Sequence, residues 1–231
     1  MKVTIDRIEI EVEPGTTILE AATQAGRFVP TLCFDERMDP FGACRVCMVG
    51  VEGAPGPLAA CTTPCRDDMV VDTADETSRR IAGATVELVM SELPEAPGEH
   101  TELAEVAGFF GIGEPRWQGE RRRPAHDARH PYLVIQHELC ISCGRCVRAC
   151  DEIQGAFALT ATGRGFHSGI TAGLDSGFTE STCVSCGACA DTCPTDAITE
   201  HLLLELALPS DEEGSRAPPA RRSEHAEEST T

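Results

Sequence analysis

Cysteines are the residues best placed to do chemistry, thirteen of them in a chain of 231. They fall in three groups: Cys33, Cys44, Cys47, Cys61 and Cys65; then Cys140, Cys143, Cys146 and Cys150; then Cys183, Cys186, Cys189 and Cys193. CISCGRCVRAC at 140–150 matches CVSCGACADTC at 183–193 in all four cysteines, the Ser and the Gly. A duplication is the simplest account. Three thiols at i, i+3 and i+6 let a loop wrap one corner of an iron–sulfur cubane. The small Gly144 or Gly187 inside that loop lets backbone N–H groups approach the sulfur atoms, and such hydrogen bonds are one lever on reduction potential.

In each copy the fourth cysteine comes four positions after the third, and Pro194 follows it in the second. This is the C-x2-C-x2-C-x3-C-P run of bacterial two-cluster ferredoxins, in which the fourth cysteine of each run ligates the other cluster. The spacing therefore predicts one [4Fe–4S] cluster on Cys140, Cys143, Cys146 and Cys193. A second is predicted on Cys150, Cys183, Cys186 and Cys189. A pair of zinc sites is the alternative, but those usually combine two C-x-x-C pairs far apart.

The first group reads C-x10-C-x2-C-x13-C through Cys33, Cys44, Cys47 and Cys61. A long first loop, a C-x-x-C and a distant fourth thiol are similar to the plant-type [2Fe–2S] arrangement, with a longer first gap. By spacing alone a zinc knuckle stays open. Cys65 is left over, because twelve cysteines fill three clusters. It reads as a buried or idle thiol, with replacement of Cys61 as its other role.

The elements that must position these groups are legible in part. Val3 and Ile5, then Ile8, Ile10 and Val12, alternate with polar residues around a tight turn at Asp6–Arg7, a β-hairpin pattern. Pro14–Gly15 breaks it, and Thr16 or Thr17 caps a helix through Ile18, Leu19, Ala22 and Ala25 that Gly26 stops. Short strands are expected at 46–51 and 69–72. Helical spacing of Ile81, Ala84, Thr85, Leu88 and Val89 predicts a helix over 77–93, with a short one at 101–110. The remainder of 94–131 reads as connector, and the composition from Pro209 onward as disordered tail.

The composition excludes whole classes. With 38 acidic residues against 19 Lys and Arg the formal charge is -19, which argues against a phosphate backbone and suits a basic partner face. No apolar run approaches the roughly 20 residues of a membrane span. MKVTIDRIEIEVE has no signal-peptide pattern, so a reducing cytoplasm is the expected location, where dense cysteine means metal. Neither a phosphate-binding loop nor a dinucleotide GxGxxG is present. No nucleophile triad or carboxylate pair declares itself, so no catalytic residue is assigned. His100, His137 and His167 read as surface or packing residues before ligands. Arg121 to Arg123 read as solvated linker before docking patch.

PTLCFDERMDPFGACRVCMVGVEG followed by LAACTTPC resembles the N-terminal [2Fe–2S] segment of the complex I 75-kDa subunit and its relatives. Among these, CISCGRCVRACDEIQGAFALTATGRGFHSGI and CVSCGACADTCPTDAI look most like the iron–sulfur region of cytosolic NAD-linked formate dehydrogenase α subunits. The resemblance runs from about residue 2 to 205 and implies an α+β chain. Its parts would be a β-grasp [2Fe–2S] domain (1–76), a helical connector (77–131), a two-cluster [4Fe–4S] ferredoxin-like domain (132–205) and an acidic tail (206–231). It also implies an electron-transfer subunit between a flavin/NAD-binding subunit and a molybdopterin (Mo or W) catalytic subunit. The alternatives are the same role in an NAD-linked hydrogenase and a free-standing multicluster ferredoxin. Two departures stand out. The family's middle segment holds a further [4Fe–4S] cluster on one His and three Cys, whereas SELPEAPGEHTELAEVAGFFGI has only His100, so that cluster is expected to be absent. Formate dehydrogenase α subunits also continue into a molybdopterin domain, expected here to be on a separate polypeptide or absent.

Overall fold

A computed structural model describes residues 1–117, 119–123, 125–173 and 177–201. The expected tail lies outside these residues, as does the end of the expected ferredoxin-like segment. Strands β1 (Lys2–Ile5) and β2 (Ile8–Glu11) form the predicted hairpin. Its two turn residues, Asp6 and Arg7, take φ of 46° and 72°, the left-handed pair of a two-residue hairpin loop. The Asp6 carboxylate offsets that strain by accepting from the Thr73 amide at 2.8 Å and the Thr73 hydroxyl at 2.7 Å.

Helix α1 (Ile18–Gln24) starts at Thr17, which accepts from the Glu20 amide while the Glu20 side chain reaches back to the Thr17 N–H. That is a capping box, satisfying two amides that the first turn leaves unpaired. Strands β3 (Met48–Val51), β4 (Leu58–Ala59) and β5 (Met69–Asp72) complete a sheet of order β2-β1-β5-β3-β4. Only the β1–β5 pair is parallel, with Val3 beside Met69 and Ile5 beside Val71. Ile5, Ile18, Val49 and Val71 are almost fully buried between sheet and helix. Each stabilises the fold by about 1.5–3 kcal/mol. Cys47, Cys61 and Cys65 share this core.

The connector carries α2 (Glu76–Ser91) and α3 (Glu102–Phe109), capped by Asp75 and Thr101. Their apolar faces, with Val86, Met90, Leu103 and Val106, close on Leu32 and Val46 from the first module. Half-buried Cys44 and Ile141 pack against the same cluster, so the connector core touches both the first and the second cysteine groups.

The last part holds a sheet of β6 (His126–Asp127), β7 (Leu133–Gln136) and β10 (Ile198–Glu200), ordered β10-β7-β6, and the hairpin of β8 (Leu159–Thr162) and β9 (Gly169–Ala172). Helices α4 (Arg145–Arg148) and α5 (Ala188–Asp191) are equivalent pieces of the repeat; only α4 runs on into a wider turn at Ala149–Ile153. The two copies bend alike. Ser142 and Ser185 have φ of 54° and 57°, and Gly144 and Gly187 have 79° and 81°. The glycines are needed for that bend, and the space a Cβ would occupy there is open.

Candidate iron–sulfur sites

The structure gathers the twelve predicted residues into three sets of four. Cys140, Cys143, Cys146 and Cys193 line one small cavity, with Ile135, Ile170 and Ile198 as apolar wall. Cys150, Cys183, Cys186 and Cys189 line another, walled by Leu133, Leu159 and Phe178. In each, three thiols come from one copy of the repeat and the fourth from the other.

Backbone donors point at these sulfurs. The Ala158 amide donates to Cys150 Sγ at 3.2 Å and the Ser185 amide to Cys183 Sγ at 3.4 Å. The Ser185 bond depends on the left-handed turn at that serine, and Ser142 turns its amide on Cys140 in the first copy. Sequence reasoning credited the glycines alone with this role. The serine before each second cysteine does as much, and only the backbone angles reveal it.

The third set is tighter. Cys47 and Cys61 stand 3.3 Å apart, and the Cys44 amide donates to Cys33 Sγ at 3.4 Å. The Cys33 thiol is drawn down to about 6, first by the hydrogen bond from the Cys44 thiol, with amides of Cys44 and Ala43 assisting. Cys61 is lowered by Cys47 in the same way, while Cys44 and Cys47 are raised as the proton-holding partners. Cys65 is set differently: burial raises its thiol, and the charge of Glu20 pushes the same way. Its amide bonds the Thr16 carbonyl at 2.8 Å, next to the start of α1.

The donor chemistry of the two cavities fits iron–sulfur groups. Burial pushes Cys143 and Cys189 up to about 12 and Cys146 well above its usual range, and neighbouring thiolates push the same way. Such thiols ionise only against a cationic guest. Among the described residues no three His, Cys, Asp or Glu side chains converge on one point where a single ion would sit. A tetrahedral zinc site would hold its sulfurs about 2.3 Å from one centre. Here the sulfurs surround a volume.

One functional residue escaped the sequence reading. His130 is buried, 3% exposed, with Nε2 at 3.1 Å from Ser185 Oγ and 3.6 Å from Cys183 Sγ. Its Nδ1 accepts from the amides of Tyr132 and Leu133 at 3.0 and 2.9 Å. Burial, then the nearby His201, lower its basicity. Of the histidines that were considered, His137 lies in the turn before Cys140, His167 meets Phe166 edge-on, and His100 acts on Asp196. In the Arg121–Arg123 run the outer two arginines are exposed and the middle one is packed. Arg122 is largely buried, paired with Glu92 at 3.2 Å and donating to the Ser168 carbonyl at 3.1 Å, and Arg121 donates to the Pro94 carbonyl.

A buried polar knot joins the three segments. Arg145, one residue before Cys146, donates to Thr192 Oγ1 at 2.9 Å and to both Glu102 oxygens at 2.5 and 2.9 Å. Asp35, two residues after Cys33, accepts from the Thr192 hydroxyl and lies 3.4 Å from Arg145. The Arg37 guanidinium, with Thr192 helping, holds the Asp35 carboxyl well below the usual carboxylate range.

Comparison with known proteins agrees with this layout. Residues 1–76 match the 2Fe-2S iron-sulfur cluster binding domain and residues 139–197 the 4Fe-4S dicluster domain. The chain is 34% identical over 220 residues to an NADH-quinone oxidoreductase subunit of Rhizobium meliloti (strain 1021), covering 91% of this chain and 25% of that protein. It is 30% identical over 211 residues to the NADP-reducing hydrogenase subunit HndD of Solidesulfovibrio fructosivorans, covering 87% and 36%. The chain thus spans about a quarter to a third of these relatives. Among solved structures, a chain of an NAD+-reducing [NiFe]-hydrogenase in the H2-reduced state superposes with a TM-score of 0.78 at 29% identity, covering 87% of both chains. The chain therefore carries a 2Fe-2S iron-sulfur cluster binding domain followed by a 4Fe-4S dicluster domain, and over this span it is similar to iron–sulfur-type subunits of NAD-linked oxidoreductases.

Proposed function

We propose that the chain is an electron-transfer subunit of an NAD-linked oxidoreductase, relaying electrons between a flavin/NAD-binding subunit and a metal-containing catalytic subunit. The observation that carries this reading is the grouping of twelve cysteines into three sets of four, two of them around apolar-walled pockets, with no substrate-type constellation beside them among the described residues. Cys33, Cys44, Cys47 and Cys61 would hold a [2Fe–2S] cluster. Cys140, Cys143, Cys146 and Cys193 would hold one [4Fe–4S] cluster, and Cys150, Cys183, Cys186 and Cys189 the other. When bound, these groups take up and release single electrons. The chain's own part is to exclude water, aim amides at the sulfurs and fix the sites relative to one another. The sheet order with one crossing helix supports a β-grasp assignment for residues 1–76.

The connector bears on the cluster that relatives carry and this chain is proposed to lack. Its apolar core meets Cys44 on one side and Ile141 on the other. Packed side chains, in place of a fourth cluster, would then separate the first site from the second.

For the catalytic partner, the resemblance of residues 140–200 to formate dehydrogenase α subunits favours a molybdopterin subunit holding Mo or W. A second reading, an NAD-linked hydrogenase, is favoured by the likeness over 87% of both chains to the hydrogenase chain. The test is metal and sulfide analysis of the anaerobically purified complex. About ten iron atoms per chain, two plus four plus four, and no zinc are expected. Molybdenum or tungsten alongside selects the first partner and nickel the second. Zinc in place of iron, or about fourteen irons on this chain, overturns the assignment.

A further inference from the structure

We infer that His130 is a potential-setting residue for the second cubane: its Nε2–H donates toward Cys183 and raises that cluster's reduction potential above what the backbone amides alone would give. The inference rests on the proposed ligation of that site by Cys150, Cys183, Cys186 and Cys189.

The tautomer follows from the bonds around the ring. Nδ1 faces two amide donors, Tyr132 and Leu133, and must therefore be the acceptor nitrogen. The proton of the neutral ring then sits on Nε2, and that atom faces Ser185 Oγ at 3.1 Å and Cys183 Sγ at 3.6 Å. Second contacts hold the ring in place. Phe178, a wall of the same cavity, meets it edge-on at 4.8 Å, and His201 Nε2 lies 3.0 Å from the His130 carbonyl. A donor so fixed, buried and away from bulk water, stabilises the more negative, reduced state of a thiolate-bound cluster more than the oxidised one.

The first cubane is built differently at the equivalent position. Cys140 borders a cleft that it shares with Arg122 and Glu92, an ion pair, and the Arg122 charge reaches its sulfur. The two halves of the duplication therefore present their first cysteine to unlike groups, a guanidinium–carboxylate pair in one and a neutral imidazole in the other. Two sites with the same ligands are thereby given different potentials.

The test is redox titration of the anaerobically purified protein, followed by EPR, with iron content measured on each sample. His130→Asn keeps a side-chain oxygen able to accept from the Tyr132 and Leu133 amides, as an Asx turn does, and removes the Nε2 donor. Its expected result is full iron content and a shift of one cubane to more negative potential, with the other cubane and the [2Fe–2S] signal unmoved. His130→Gln, whose amide nitrogen reaches to the Nε2 position, is expected to restore part of the shift. Unchanged potentials in His130→Asn, equal shifts in both cubanes, or loss of iron in both variants would overturn the assignment. Wild-type protein that shows only one cubane signal would overturn the underlying ligation as well, and that result is read before any variant is made.

Discussion

The Thr192 hydroxyl donates to Asp35 at 2.7 Å across 157 positions of sequence. One residue directly precedes Cys193 and the other follows Cys33 by two, so this bond ties the first cysteine group to the cavity that Cys193 completes. Arg145, only 4% exposed along its side chain, closes the triangle.

Asp35→Ala leaves the Thr192 hydroxyl and one face of Arg145 without their buried acceptor, while Glu102 still holds the guanidinium. A loss of about 2–3 kcal/mol is expected, read as a lower urea midpoint of the anaerobic holoprotein. Arg37→Ala removes only the half-exposed arm of the same carboxylate and should cost well under 1 kcal/mol. Equal losses in the two variants would show that the knot does not depend on its buried part.

Cys65→Ala should leave the [2Fe–2S] EPR signal intact and cost about 1 kcal/mol of packing, because Cys65 is tied to the start of α1 through the Thr16 carbonyl and feels the charge of Glu20 while the other four thiols act on one another. Cys61→Ser should abolish the signal. The reverse pattern would make Cys65 the fourth ligand.

Cys193→Ser should damage the cubane whose other ligands are Cys140, Cys143 and Cys146, and Cys150→Ser the one in the third cysteine group. Mössbauer or EPR spectra of the two variants would differ in which cubane signal survives. Damage confined to the nearer group in each case would mean that the ligation does not cross between copies.

In the intact complex, Cys47→Ser should end NAD-linked turnover while dye-linked activity of the catalytic partner continues. NAD-linked turnover that survives loss of the [2Fe–2S] cluster would break the proposed electron route.

Short-range features were legible in the sequence because short-range physics fixes them. The Asp6–Arg7 turn, the Thr17 cap, β5 and the two connector helices all follow from periodicity, capping and turn chemistry within a few residues. The grouping of cysteines was legible because a repeat with fixed spacing constrains a loop directly. His130 was not, since it meets Cys183 across 53 positions and nothing within its own HPYL segment signals a donor. Arg122 was misjudged for a related reason: an arginine run reads as solvated until Glu92 and the Ser168 carbonyl are brought to it. The strands β6 to β10 were missed because they span two to four residues and are held by tertiary pairing more than by local propensity.

The crossing of the fourth cysteines also has a consequence for synthesis. The cavity begun by Cys140, Cys143 and Cys146 is completed by Cys193, so a ribosome must carry the chain just over fifty residues past that cavity's first thiol before its wall is complete. The Cys150 side of the other cavity must wait about forty residues, through Cys189. On the proposed ligation, neither half of the duplication would complete its site alone, and iron delivery to both would be a late, joint event.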